Sequence, residues 1–149
     1  MKNTEAEKKA LERMRPGVIT IQGFLGIDTR GLADIIEADA EAFRRLKLDP
    51  EVTADALERL RDAGQAGLGE PITVDGRYVV STGDARGVLP CPYGDGIFHK
   101  NSVVIKDGQS GIEIIFSDLS LHLLRVHGFC QGQGSPFRLA PEALARLLG

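Results

Sequence analysis

The chain has 149 residues, of which 42% are hydrophobic and 26% charged, and its formal net charge is −3. This length is typical of one domain with one buried core, and that core must be mostly aliphatic because only 5% of the residues are aromatic. The sequence has no lysine and arginine cluster to attract nucleic acid, no apolar run that could span a membrane and no signal-peptide pattern. We therefore expect a cytoplasmic protein that binds neither nucleic acid nor membranes.

The first part of the chain, residues 1–64, is expected to be mostly helical. Residues 1–15 alternate in charge and predict a flexible or helical arm, which precedes a helical part over residues 16–64. Inside that part, the β-branched stretch 17–23 predicts one short strand, with Ile19 and Ile21 on the same face.

Two helices follow this stretch and form an αα-hairpin. Apolar residues spaced three and four apart predict a first helix, capped by Asp28 or Thr29 and ending at Leu48. Asp49 and Pro50 are typical of the start of a second helix, and Gly64 is expected to stop it.

The second part, residues 71–149, is predicted to contain the sheet and two more helices. Asp75-Gly76 between alternating apolar runs is a strong hairpin signal, and residues 102–116 predict another hairpin. The glycine-rich stretch 83–100 between them is expected to be an ordered loop. One helix is predicted from Asp118 to His127, with Leu119, Leu123 and Val126 buried, and a last helix begins at Pro141.

Together these elements predict one domain over residues 1–149. Its fold class is α+β: two β-hairpins form a small antiparallel sheet, packed by an N-terminal αα-hairpin and two C-terminal helices.

The two cysteines and three histidines all lie between residues 91 and 130, which makes a metal site one hypothesis for this region. The candidate ligands are Cys91, His99, His122, His127 and Cys130. A cysteine-containing loop, a β-hairpin and a helix with two histidines follow one another over about a quarter of the chain, and this order resembles the layout of ββα and treble-clef zinc modules. The resemblance implies zinc as the cofactor.

A structural interpretation of the same residues competes with the metal. On an ideal helix His122 and His127 point about 140° apart, so that one ion reaches both only if the end of the helix adapts. Without a metal, the histidines would bridge core and solvent, the cysteines would be small buried hydrophobic residues, and there would be no cofactor.

A second group of residues is a candidate for binding a small molecule. Gly132, Gly134 and Arg138 could together hold a carboxylate or phosphate, through backbone N–H groups and the guanidinium. Asp84 and Arg86, in the glycine-rich stretch, are further candidates. Asp84, Asp95 or Asp118 would take part in acid–base chemistry only where it met a histidine in a cleft.

We favour a small, soluble, non-catalytic domain that binds an unknown protein or small molecule, and it could form a homo-oligomer. The first alternative is a zinc-stabilised domain with a Cys/His site in residues 91–130. The second is a metal-dependent hydrolase, which requires a concave pocket where an aspartate meets a histidine. No catalytic residue is assigned, and the balance of the sequence is against an enzyme.

Overall fold

The centre of the molecule is a four-stranded antiparallel sheet. A computed structural model describes residues 4–149 and places the strands in the order β1-β2-β3-β4, so that each strand pairs with the next along the chain. The strands are β1 (Ile72–Val74), β2 (Tyr78–Pro90), β3 (Ile97–Asp107) and β4 (Glu113–Phe116).

Five helices accompany this sheet in the described part of the chain. They are α1 (Glu5–Arg13), α2 (Leu32–Arg45), α3 (Pro50–Gln65), α4 (Asp118–His127) and α5 (Pro141–Leu148). The α+β class is therefore confirmed, with the N-terminal helix pair α2 and α3 and the C-terminal helices α4 and α5. Helix α1 is a helical arm, although residues 1–3 of the expected arm lie outside the described residues.

The two predicted hairpins are both present. Asp75 and Gly76 have positive φ angles of 56° and 63°, which is the backbone conformation that tight hairpin turns between twisted strands require. The hairpin of β3 and β4 is in register from Val103 opposite Phe116 to Lys106 opposite Glu113. Local turn chemistry was therefore a reliable guide here.

The prediction of an ordered loop between these hairpins is wrong over most of its length, because the segment forms strands. Strands β2 and β3 pair far beyond the rest of the sheet, out to Pro90 opposite Ile97, and form a two-stranded arm. A bulge between Asp84 and Val88 interrupts the register, with Gly87 at φ 102°. The additional bulge residues break the alternation of side chains, and for this reason the sequence pattern of a strand is lost.

The strand predicted at residues 17–23 is also wrong. This segment consists of turns: the amides of Gly17 and Gly23 both donate to the carbonyl of Thr20, at 2.8 and 3.3 Å. Gly23 has φ 72° and lies against the backbone of Met14, so the chain folds back on the end of α1 instead of extending along a sheet.

Three predicted helix ends differ from the structure, and the first is the end of α2, which lies at Arg45 instead of Leu48. Helix α2 begins after Gly31 because the carboxylate of Asp28 binds Arg30 and the amide of Gln133 instead of capping the helix. Gly64 does not stop α3 but lies inside it, where an added Cβ would collide with the side chain of Val80. This glycine allows α3 to pack closely on β2.

Buried side chains form two clusters that share α4. We call the first the sheet core; it joins the sheet to α3, α5 and one side of α4, with Val80, Ile105 and Leu144 fully buried. The second, the N-terminal core, joins α1, the start of α2 and the other side of α4, and it includes Cys91. Helix α4 buries Leu119 and Leu123 as predicted, but Val126 is 58% exposed.

Among residues 4–149, no helix combines the length and the apolar character needed to cross a membrane.

Candidate metal centre

The first component of the candidate centre is the short connection between β2 and β3. The amide of Cys91 donates to the carbonyl of Gly96, and the amide of Gly94 donates to the carbonyl of Cys91, both at 2.9 Å. Gly94 has φ 79°, a conformation that favours glycine. Residues 91–96 therefore form a tight loop, which we call the cysteine loop, and it brings Cys91 and Asp95 to the same side.

The second component is the C-terminal half of α4. Ser117 caps this helix at its start, and Gly128, at φ 61°, ends it immediately after His127. His122 and His127 lie on either side of Leu123, which packs with Cys91 in the N-terminal core. Because the cysteine loop lies across this face of the helix, the two imidazoles reach it from opposite sides.

Four side chains converge where the cysteine loop meets α4. One ligand atom each from Cys91, Asp95, His122 and His127 can be chosen so that all four lie within 4.8 Å of one another. The Nε2 atoms of His122 and His127 lie 3.0 and 2.8 Å from the two oxygens of Asp95, and Cys91 Sγ lies 3.9 Å from His127 Nε2. We call these four residues the Cys-Asp-His-His cluster.

The other two candidate metal ligands lie elsewhere. His99 Nε2 contacts Asp84 at 3.2 Å on the exposed arm of β2 and β3. Cys130 is buried in the sheet core, and burial raises the pKa of its thiol to about 12. Neither residue belongs to the cluster, whose fourth member is Asp95.

Asp95 was expected only as an acid–base residue, and its place in the cluster was missed. The sequence feature that could have revealed it is the spacing of Cys91 and Asp95, which lie four residues apart across a turn with glycines at 94 and 96. A search for paired cysteines passes over this pattern, because here a carboxylate stands where many zinc modules have a second thiolate or an imidazole.

Two aromatic rings hold the imidazoles in place. Tyr93 stacks on His127 with 3.9 Å between ring centroids, and Phe98 packs on His122 at 4.6 Å. The two imidazoles are then nearly perpendicular, with centroids 5.3 Å apart. The histidine side chains are 14% and 18% exposed, so the cluster lies at the edge of the N-terminal core.

The surroundings of the cluster shift the pKa values of its two acidic groups, Cys91 and Asp95, in opposite directions. Burial raises the pKa of the Cys91 thiol to about 11, and the neighbouring Asp95 acts in the same direction. Partial burial of Asp95 favours its neutral form, but hydrogen bonds from Cys91 and His122 and the nearby His127 outweigh this and hold its pKa well below the usual range. Asp95 is thus a carboxylate at neutral pH.

No protein family, curated protein or solved structure matches this chain. Its function must therefore be argued from geometry.

The candidate small-molecule residues do not form one site. The guanidinium of Arg138 is already bound by Asp39 of α2, through two hydrogen bonds of 2.8 and 2.9 Å. Gly132 and Gly134 allow close packing against the 25–27 segment, where a Cβ on either would contact backbone or side-chain atoms. Arg86 is exposed in the bulge of β2.

A hydrolase would need a pocket where an aspartate meets a histidine, and the cavity beside His122 is small for this purpose. A cavity of about 230 Å³ is lined by His122 and Asp118, with Arg61 and Arg125 at its edge. Asp118 already accepts hydrogen bonds from Arg61 and Asn101, at 2.6 and 3.0 Å. The carboxylate is thus committed to structural contacts, and it is the Cys-Asp-His-His cluster that offers the clearest chemistry.

Proposed function

We propose that this protein is a zinc-binding domain in which the metal joins the cysteine loop to helix α4. The observation that carries the proposal is the convergence of the four ligand-type side chains of the Cys-Asp-His-His cluster from two separate elements. The domain around it is non-catalytic and binds a partner or small molecule, and a reducing cytoplasmic location keeps the thiol available.

The distances in the cluster fit one tetrahedral ion. Zinc–sulfur, zinc–nitrogen and zinc–oxygen bonds of about 2.0 to 2.3 Å place the ligand atoms about 3.3 to 3.7 Å apart. The contacts of Cys91, His122 and His127 within the cluster range from 2.8 to 3.9 Å, and all four ligand atoms lie within 4.8 Å of one another. Small rotations of the side chains would therefore complete the coordination.

The types of ligand favour zinc over other divalent ions. One thiolate with two imidazoles is a soft donor set, which calcium and magnesium bind poorly because they prefer oxygen. All four positions come from the protein, and closed sites of this kind are structural. Zinc would also offset the cost of ionising the buried thiol of Cys91.

A bound metal would stabilise the N-terminal core. Cys91 is 1% exposed and packs with residues of α1, α2 and α4. Arg13, at the end of α1, also donates a hydrogen bond of 2.8 Å to the carbonyl of Pro92 in the cysteine loop. Fixing this loop on α4 would thus hold three parts of the chain together.

Metal analysis of the purified chain tests the proposal. We expect about one zinc per chain in protein prepared without a histidine tag, and cobalt exchange should give a cobalt–thiolate charge-transfer band. Cys91→Ser should remove that band because it removes the thiolate, and both Cys91→Ser and His127→Gln should weaken metal binding by more than about 100-fold.

His99→Gln and Cys130→Ala are the matched controls, since each replaces the same residue type outside the cluster. Both should retain one metal per chain. Equal metal loss in a control and in its counterpart would contradict the proposed ligand set, and absence of metal from the unaltered chain would reject a metal centre.

A further inference from the structure

A second cavity lies away from the Cys-Asp-His-His cluster. It is a cleft of about 610 Å³ between the 19–24 segment, the 131–137 loop and the base of the β2–β3 arm. We call it the loop cleft. Its volume is in the range of sites that enclose small organic molecules. We propose that the loop cleft binds a small amphipathic carboxylate, meaning an apolar organic body with one carboxylate group.

The apolar walls of the loop cleft favour a ligand with an apolar body. Phe24, Leu89 and Leu119 are almost fully buried in the N-terminal core and form part of its lining. Ile19 and Phe137, from the two flanking segments, add further apolar surface. Burying hydrocarbon against such walls contributes roughly 25 cal/mol per Å², so these residues favour a ligand with a hydrocarbon or aromatic body.

Gln131 supplies a specific hydrogen-bond donor. It lines the cleft and is only 5% exposed, and its φ of 71° is unusual for a residue other than glycine. Its side-chain oxygen accepts a hydrogen bond of 2.6 Å from Ser135. Arg138 holds its backbone carbonyl at 2.7 Å, so the residue is fixed at both ends.

The amide nitrogen of Gln131 remains for a ligand. In the described part of the chain, no fully buried side-chain nitrogen or oxygen lacks a hydrogen-bond partner. The Gln131 amide nitrogen makes no hydrogen bond to residues 4–149 and is therefore not fully buried, and we take the cleft that the residue lines as the space it faces. A buried amide donor pairs best with a carbonyl or carboxylate oxygen.

Charge at the rim favours the carboxylate. Lys100 lines the cleft, is exposed, and takes part in none of the ion pairs found among residues 4–149. The one acidic residue of the lining, Asp84, contacts His99 at 3.2 Å. An anionic group near Lys100 and Gln131 would meet two donors, and hydrogen bonds to charged groups are the stronger kind.

Titration of the full-length chain with decanoate tests this inference. Calorimetry gives the dissociation constant, and amide chemical shifts in NMR spectra locate the site. We expect saturable binding, with shifts concentrated in residues 19–24, 100–102 and 131–137. Decan-1-ol, which has the same chain without the charge, should bind about tenfold more weakly.

Two substitutions with matched controls examine the donors separately. Gln131→Glu keeps the acceptor for Ser135 but replaces the amide donor by a carboxylate, and it should weaken decanoate binding at least about tenfold. Gln133→Glu makes the same change at an exposed position of the same loop and should have little effect. Lys100→Gln should also weaken binding about tenfold, whereas Lys106→Gln on the same strand should not.

The inference is overturned by any of three results. These are no saturable binding of decanoate, chemical shifts that map outside the loop cleft, or equal affinity for decanoate and decan-1-ol in a protein insensitive to Lys100→Gln. Circular dichroism of each variant confirms that it folds, so that lost binding reports on the cleft.

Discussion

Asp95 is the residue that distinguishes the candidate metal centre from an ordinary histidine pair. Its two oxygens each meet one imidazole, Oδ1 that of His122 and Oδ2 that of His127. Two imidazoles that point toward different sides of a helix are thus preorganised by one carboxylate. Preorganisation lowers the entropic cost of binding a metal.

Replacing this carboxylate tests its role. Asp95→Asn leaves the size of the side chain unchanged but removes the negative charge, and a neutral amide is a much poorer zinc ligand. We expect zinc affinity to fall at least about 10-fold, measured by competition with a chromophoric chelator.

Asp84→Asn is the control for this change, because Asp84 also contacts a histidine but lies outside the cluster. Its zinc affinity should equal that of the unaltered chain. If both substitutions reduced the affinity equally, a general loss of negative charge would explain the effect, and Asp95 would not be a ligand.

At the scale of elements, the contact between α3 and β2 depends on one missing side chain. Alanine usually stabilises a helix by about 1 kcal/mol relative to glycine. At Gly64, however, an added Cβ would collide with Val80, which is fully buried. We expect Gly64→Ala to destabilise the protein by about 1 to 3 kcal/mol in urea unfolding.

A second substitution distinguishes this collision from a general helix effect. Val80→Ala removes the Cγ1 atom, which the new Cβ would approach most closely. The double substitution should therefore cost less than the sum of the two single changes. Additive costs would show that Gly64 and Val80 do not interact in this way.

The ion pair between Asp39 and Arg138 joins α2 to the 131–137 loop. Both side chains are mostly buried, at 6% and 14% exposure, and they form two parallel hydrogen bonds. Removing one partner leaves the other charge buried, and Arg138→Met should cost about 3 to 5 kcal/mol. In a double-mutant cycle, Asp39→Leu with Arg138→Met should recover part of this loss, and full additivity would contradict coupling.

The elements that the sequence predicted well are those determined by local chemistry. Helix α4 runs from Asp118 to His127 as predicted, between the caps Ser117 and Gly128, and the turn at Asp75-Gly76 forms a hairpin. In contrast, the β2–β3 arm was missed because its bulge hides the alternation, and residues 17–23 turn back because they pack on α1 rather than on a strand.

The sequence predicted only part of the candidate metal centre, because local patterns show residue types but not how distant segments meet. Cys91, His122 and His127 were candidates by residue type, and the structure brings these three together. Local helical geometry could not show that Asp95 of the cysteine loop contacts both histidines. That arrangement depends on how far the β2–β3 arm extends, which is a tertiary property.

At the scale of the whole molecule, Asp107 links the sheet to the C-terminal helix. It is fully buried at the end of β3 and binds Arg77 through two hydrogen bonds of 2.8 Å. Arg77 also donates to the carbonyls of Leu147 and Gly149, at 3.0 and 2.9 Å. One arginine therefore connects the turn after β1, the end of β3 and the last turn of α5.

This connection predicts a loss of stability in acid. Hydrogen bonds from Arg77, against an opposing effect of burial, hold the pKa of Asp107 well below its usual range. Its contribution to stability is fully present above the unfolded pKa of about 3.9 and is lost as pH falls toward the depressed folded value. Asp107→Asn should therefore reduce the difference in urea stability between pH 7 and pH 3, and an unchanged difference would exclude this carboxylate as a cause.

Metal removal should affect the two cores unequally. One zinc at 100 times its dissociation constant would add about 2.7 kcal/mol, which corresponds to about 5 to 10 °C in melting temperature for a chain of this size. Hydrogen exchange after chelation should increase first in the cysteine loop, α1 and the end of α4. Uniform acceleration that included the β1–β2 hairpin would mean that the metal does not act on the N-terminal core in particular.

The sharing of α4 between two cores has a consequence for how the chain is made. The N-terminal core needs Ala10 and Met14 from the beginning of the chain and also Leu123 and Phe129, while the sheet core combines Phe43 with Leu147. Neither can close during synthesis until more than a hundred further residues have emerged. The apolar faces of α1 and α2 therefore stay incompletely covered during this interval, and we expect the nascent chain to be most prone to aggregation then.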